Sequence, residues 1–514
     1  FSEGSGWYQP TCTKLDDKGN PLAGKQFNYQ TGESKTESYL VSFFGRINYI
    51  GWNQLLLTVN FRADGSSRFA KEHRWGYFPA AALGWKMKET FFKDVNWLDD
   101  LKLRLGYGIT GQQEGIGDYP YMAKYTQTIN YAAYYPVGGD NYATEDKDGN
   151  VLIPADGQYV IDKNGNILYF GYRPEGYNYN LTWEKTTTYN AGLDFSFLNN
   201  RVSGAIDYYY RKTDDLLNSV RVAAGTNFSN YIMSNVGSLS NQGVEFSLNA
   251  VLLDLGRKFK WDMGYNVTWN QNKIIRLNNG EDEAPVNTGG ISSGVGNTIQ
   301  QHAKGHAASS FYVYQSACNY REDGTKYWYV VDRNSDGKID ENDKYHYHNP
   351  AAPVTMGFQM KFQFYDFDLG MSFRANIGNY VYNDVKASGL QNVTRDNFNK
   401  NNFVSGVLRD CFTTYYVDNM RSDAVYADEA GTQKFAEWYM MDYFVENGSF
   451  LRCDNITLGW SFKRPVVSGR VFCTVSNPFV ISKYSGLDPE VFGGIDNNIY
   501  PRSMTTVLGV NLQF

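Results

Sequence analysis

The stretch "VTMGFQMKFQFYDFDLGMSFRANIG", residues 354–378, decides the fold. Val354, Met356, Phe358, Met360, Phe362 and Phe364 fall on one face, with Thr355, Gly357, Gln359, Lys361 and Gln363 between them. After a tight turn at Tyr365 and Asp366 the alternation resumes. Phe367, Leu369, Met371, Phe373, Ala375 and Ile377 are now opposed by Asp368, Gly370, Ser372, Arg374, Asn376 and Gly378. Period two marks a strand whose two faces meet different surroundings. The stretch therefore reads as a hairpin of strands of about ten residues each, the length a tilted strand needs to cross a bilayer.

The same pattern recurs at Leu101 to Ile109, Tyr189 to Phe197, Val202 to Tyr210, Val244 to Ala250, Trp261 to Trp269 and Ile456 to Phe462. It also closes the sequence, where Leu508, Val510, Leu512 and Phe514 alternate with Gly509, Asn511 and Gln513. A terminus in water usually frays as a polar tail, so an apolar stop implies that something other than water receives that face. Short connections at 51–53, 198–200, 252–257 and 365–368 alternate with long ones near 112–182, 213–235, 276–350 and 384–448. Short turns on one side and long loops on the other are the asymmetry of an outer-membrane barrel. With Phe514 on the short-turn, periplasmic side, the count is roughly 13 to 15 strands, depending on whether 276–350 adds none or a pair. An odd count whose first strand runs inward cannot close as an antiparallel barrel, so part of the barrel is expected outside these residues.

Composition agrees. For 514 residues, length alone suggests two or more domains, a prior that large barrels break. Tyr (41), Trp (11) and Gly (50) are abundant, yet no apolar run approaches membrane-helix length. A net charge of −6, with Lys and Arg scattered singly, excludes the electrostatic footprint of nucleic-acid binding. Cys12, Cys318, Cys411, Cys453 and Cys473 are odd in number and widely spaced, which indicates neither a zinc site nor a disulfide framework. With no initiator Met, basic n-region or signal h-region at Phe1, the sequence is expected to begin after processing or partway through a longer protein.

Seven ordered stretches carry a resemblance. "FFGRINYI" at 43–50, "NFRADGSSRF" at 60–69, "WGYFPAAALGW" at 75–85 and "LDDLKLRLGYGITGQQ" at 98–113 resemble successive barrel strands of SusC-like TonB-dependent transporters of Bacteroidota, the SusC/RagA family. "FLRCDNITLGWSF" at 450–462, "GLDPEV" at 486–491 and "YPRSMTTVLGVNLQF" at 500–514 extend it to the end. The resemblance implies an all-β fold: residues 1–514 would be the carboxy-terminal part of a transmembrane antiparallel β-barrel of about 22 strands. The plug, the TonB-contacting segment and the first seven to nine or so strands would lie outside this chain. It implies import of oligosaccharides or peptides at the bacterial outer membrane, driven through the TonB complex under a SusD-like lipoprotein lid, with a dimer of such pairs as a further expectation. Phe514 then looks like the terminal aromatic that outer-membrane assembly recognises. Cys453 and "TGQQ" at 110–113 depart from the family pattern.

Loop chemistry is sparser. In "DRNSDGKIDEND", 332–343, Asp332, Asn334 and Asp336 occupy positions 1, 3 and 5 of a calcium loop, Gly337 allows its sharp turn, the Lys338 carbonyl fits position 7, Asp340 position 9 through water, and Asp343 the last. Hard oxygen donors at this spacing suit Ca²⁺, and the expected role is to stiffen an extracellular loop. His302 and His306, or His346 and His348 on one strand face, read as polar loop residues before metal ligands. "GGISSGVG" at 289–296 has no following helix and reads as a flexible stretch instead of a phosphate loop. No carboxylate pair or nucleophile elbow stands out, which argues against an enzyme. Tyr131, Tyr134, Tyr135 and Tyr142 offer flat faces to a sugar or peptide, or to loop packing. The competing function is a secreted or surface β-rich adhesin or glycan-binding protein without transport; an open diffusion pore is a weaker third.

Overall fold

The computed structural model describes residues 10–12, 27–29, 36–128, 160–161, 167–168, 171–222, 226–227, 229–277, 284–294, 296–320, 326–391, 426–427 and 438–514. Its main feature is one antiparallel sheet of thirteen strands, ordered as in the chain. These are β1 (Leu40–Gly51), β2 (Leu55–Ser66), β3 (Trp75–Lys86), β4 (Leu98–Gln112), β5 (Glu184–Phe197), β6 (Val202–Asp214), β7 (Ser238–Asp254), β8 (Lys260–Arg276), β9 (Val354–Phe364), β10 (Phe367–Ile377), β11 (Phe450–Lys463), β12 (Ser468–Ser482) and β13 (Thr505–Gln513). Every alternating stretch in the sequence falls on one of them, with Gly378 and Phe514 each one residue past a strand's end. The span 276–350 adds nothing to this wall. Val286–Gly290, Thr298–His302, Ser310–Tyr314 and Lys344–Tyr347 pair instead as a separate four-stranded sheet above it.

Register turns the alternation into continuous rows. Trp261, Phe362, Leu369, Leu458, Cys473 and Leu508 are successive partners across β8 to β13. Nearer the long loops, Ile206, Phe246, Val267, Met356, Ala375, Leu451 and Ile481 do the same from β6 to β12. These rows are not a protein core: Phe358 and Leu369 are half-buried, while Leu458 and Leu512 are each 53% exposed. A strand of 11 residues tilted as in a barrel spans about 28 Å, close to the apolar band of an outer membrane. Exposed Trp52, Phe91, Trp97, Tyr365, Phe367 and Trp460 stand at the short-turn rim as an aromatic girdle.

The short turns use left-handed backbone, as tight hairpin connections favour. Trp52 and Asn53 have φ of 51° and 56°, and Leu198, Asn199 and Asn200 lie near 58°. Two expectations need correcting. The turn placed at 252–257 falls at 255–259, because a register shift between Val251 and Leu253 lets β7 continue to Asp254. Residues 483–504 are a further long connection, unnoticed because their Gly, Pro and acidic residues follow β12 without a break in apolar content. Buried apolar side chains collect above the wall, where Ile299, Phe311, Val313, Tyr382, Met441 and Phe444 form one cluster. Cys318, Cys453 and Cys473 are free thiols.

Candidate functional site in the inner wall and the loops above it

The face opposite the apolar rows is polar and paired. Arg104 on β4 reaches Asp194 on β5 and Asp207 on β6, each at 2.8 Å, and Lys102 lies 3.4 Å from Asp194. On β10 and β12, Asp368 and Arg470 pair at 2.5 Å. Both pairs pass over a glycine of the strand between: a Cβ on Gly192 would lie 2.2 Å from Asp207 Oδ1, and one on Gly459 2.5 Å from Asp368 Oδ1. Towards the short-turn end this face holds a recess of about 600 Å³ lined in part by Asp262, Gln359, Lys361, Asp368, Asn455 and Arg470. A half-solvated surface of this kind offers a ligand hydrogen bonds and charge.

Above the wall, the connection after β12 folds back onto it. Arg452 and Asp488 pair at 2.5 Å with side chains 4% and 6% exposed. Arg374 grips Glu490 with both terminal nitrogens and Asp454 with Nε at 2.8 Å, while Arg502 adds a 2.8 Å contact to Glu490. Burial pushes the Glu490 carboxyl up, but the hydrogen bonds and charge of Arg374, with Arg502 and Arg452, hold it below its ordinary value. Gln300 donates to the Gly493 carbonyl at 2.7 Å and ties this connection to the loop sheet. The sequence reading missed Arg374, Arg452 and Glu490 as a site. The available signals were two arginines at polar positions of alternating strands and the acids of "GLDPEV".

"GGISSGVG" does hold an anion, though an internal one. The Ser292 N–H and O–H and the Ser293 N–H donate to the Asp384 carboxylate at 2.7, 2.6 and 3.0 Å. Asp384 opens the helix α1 (Asp384–Gln391), so the serines fasten the root of that connection. This segment has a structural grip where flexibility was expected.

In the 332–343 loop the backbone takes most of the side-chain oxygens. Asp332 Oδ2 accepts from Gly337 N–H at 2.8 Å, Asn334 Oδ1 from Asp336 N–H at 3.0 Å, and Asp336 Oδ1 from Lys338 N–H at 2.8 Å. Asp340 Oδ1 accepts from Asn342 N–H at 2.8 Å. Fully buried Asp343 accepts from Arg333 N–H at 2.8 Å and, through its other oxygen, from Asp340 N–H at 2.9 Å. Asp332 Oδ1 is sheltered from solvent and has no donor. Among the described residues no group of three or more His, Cys, Asp or Glu is placed to hold a metal.

His346 stacks on His306 at 3.7 Å between ring centroids and shares a hydrogen bond with Ser310 Oγ at 2.8 Å. Burial, with the charge of His306, pushes it down to about 4. His348 does not share its strand face. The strand ends at Tyr347, and His348, at φ 49°, stacks on Tyr380 at 3.6 Å. His302 Nδ1 accepts from Ser309 N–H at 3.0 Å. Tyr131, Tyr134, Tyr135 and Tyr142 lie outside the described residues. Phe514 follows β13 by one residue and is 91% exposed.

Comparison with known proteins gives this geometry a family. Residues 1–349 match the sequence model described as TonB dependent receptor-like, beta-barrel. The TonB-dependent receptor SusC of Bacteroides thetaiotaomicron is 46% identical over all of this chain and 47% of its own length. TonB-dependent receptor P3 of Formosa agariphila is 27% identical over 96% of the chain and 47% of its own. Among solved structures, the RagAB peptide transporter superposes with a TM-score of 0.72 at 25% identity, covering 96% of this chain and 50% of that one. The chain spans about half the length of the curated relatives it matches. With the family model covering well over half of its residues, the chain belongs to the TonB-dependent receptor β-barrel family and is part of a bacterial outer-membrane protein.

Proposed function

We propose that these residues form part of the wall and outer loops of an importer that takes oligosaccharides or peptides across the outer membrane, driven through TonB. The observation that carries this reading is the two-faced wall, with unbroken apolar rows outside and paired Arg, Lys and Asp side chains inside. An adhesin would bury those rows, and nothing among the described residues covers them. Names of the relatives support a transporter or receptor in place of an enzyme. A SusD-like lipoprotein would sit on the loop cluster held by Arg374, Arg452 and Asp384, and such pairs would dimerise. Ligand contacts would come from the long loops, including Tyr131, Tyr134, Tyr135 and Tyr142, and Phe514 would serve assembly.

The test uses the whole protein in its own cells. Deleting it is expected to abolish uptake of labelled oligosaccharides or of labelled peptides. Complementation should restore uptake only where TonB is present. Unchanged uptake of both classes, together with recovery of the protein from the soluble fraction without detergent, would remove this reading.

The 332–343 loop is proposed to take Ca²⁺ at Asp332, Asn334, Asp336 and the Lys338 carbonyl, with Asp340 through water. Unpartnered Asp332 Oδ1 supports it. Asp343, which also accepts backbone N–H groups, would take the last ligand position.

A further inference from the structure

The outward face of β5 to β8 carries a pattern that import does not use. Register places Tyr189, Tyr208 and Trp269 on the apolar face, and they are 52%, 46% and 41% exposed. Four residues nearer the long-loop end of the same strands, on the same face, stand Lys185, Lys212 and Lys273. Four residues of tilted strand rise about 10 Å, which lifts each ammonium from the aromatic belt to the level of lipid headgroups. Lys212 and Lys273 both register with Ser240 of β7, so they stand two strand spacings or about 10 Å apart. Lys185 registers with Asp214, two residues beyond Lys212. Beneath them, Gln242 donates to Gln271 at 2.8 Å, a neutral amide rung between the rings and the charges.

The row is local. At the corresponding rim of β10, β11 and β12 the outward residues are Ile377, Leu451 and Ile481, apolar and 45%, 41% and 61% exposed. Asp214 lies 2.9 Å from Lys212 and offsets part of its charge. Among the described residues Lys185 and Lys273 form no ion pair, although Asp214 stands across from Lys185.

We infer that Lys185, Lys212 and Lys273 form a docking strip for the phosphate groups of outer-leaflet lipid headgroups. The inference rests on the membrane reading of the wall and adds a specific lipid contact to it. A cation at this height gains about 1 kcal/mol from anionic headgroups, while the rings below anchor the acyl boundary. The strip would fix the height and tilt of this sector, leaving the sector of β10 to β12 to contact lipid by its apolar rows.

The experiment uses the full-length protein as purified from outer membranes. It is exchanged into phosphatidylcholine vesicles doped with phosphorylated lipid A or with dephosphorylated lipid A, and bound lipid is counted by mass spectrometry after detergent extraction. Retention of the phosphorylated form should fall by at least about fivefold in the K185Q/K212Q/K273Q variant, the factor carried by one such lysine. The matching Lys→Arg triple variant should keep it, and neither protein should hold the dephosphorylated form. Equal retention by wild type and the Gln variant would overturn the strip. So would equal retention of both lipids, or displacement of lipid A by inorganic phosphate. Heat-shifted gel migration of each variant reports insertion separately; its absence in the wild type would sink the membrane reading itself.

Discussion

Gly192 and Gly459 are the residues on which the inner wall's long ion pairs depend. Neither has a positive φ, so alanine suits their backbones, and the constraint is space alone. A valine at 192 would push Asp207 from Arg104, and one at 459 would part Arg470 from Asp368. Overpacking of this kind costs about 1–3 kcal/mol. Gly192→Val and Gly459→Val are expected to lower the temperature of heat-shifted gel migration of the full-length protein. Gly370→Val, on the same inner face but with no atom within 4 Å of its Cβ, should leave it unchanged. Equal effects at all three would mean that general loss of glycine, not the ion pairs, sets the outcome. The alternation of apolar and polar residues made the face of each glycine legible. Which glycines an Arg crosses was not, because that depends on register between strands as far apart in sequence as Arg104 and Asp207.

At the scale of elements, the strands were readable and the loop sheet was not. A wall strand announces itself because lipid and water impose period two. The strands between 286 and 347 are four or five residues long and bury side chains such as Phe311 and Val313, so their pattern is shorter than the period needs. The oxygen spacing of residues 332–343 was legible, but the backbone N–H groups that Asp343 accepts were not, since a carboxylate that binds metal and one that caps backbone look alike in one dimension. Substitution separates the two roles. Asp332→Ala and Asp336→Ala should lower calcium content and abolish the protease protection that calcium gives the wild-type loop. Asp343→Ala, which removes the buried acceptor of the Arg333 and Asp340 N–H groups, should expose the loop to protease with or without calcium, at a cost of roughly 1–3 kcal/mol for the two hydrogen bonds. Calcium content and protease resistance unchanged in the first two variants would leave a hydrogen-bonded loop and no ion.

For the whole molecule, direction decides closure. β1 and β13 both run from the long-loop end to the short-turn end, and among the described residues each pairs with a single neighbour, β2 and β12. Their free edges carry backbone N–H and C=O groups that lipid cannot satisfy, at several kcal/mol for each group left unpaired. Copies inserted in the same orientation cannot repair this: any pairing of β1 or β13 between copies brings together strands that run the same way. Antiparallel closure needs an odd number of further strands that start and finish running outward, and the family resemblance puts that number at about nine. The 514 residues expressed alone in outer-membrane-like vesicles are therefore expected to give aggregates and no heat-shifted monomer. Co-folding with a separate polypeptide carrying the rest of the full-length protein should restore a heat-shifted species that contains both pieces. Were these residues alone to migrate as a heat-shifted monomer, β1 and β13 would have to pair in parallel, and the requirement for outward-running partner strands would be wrong.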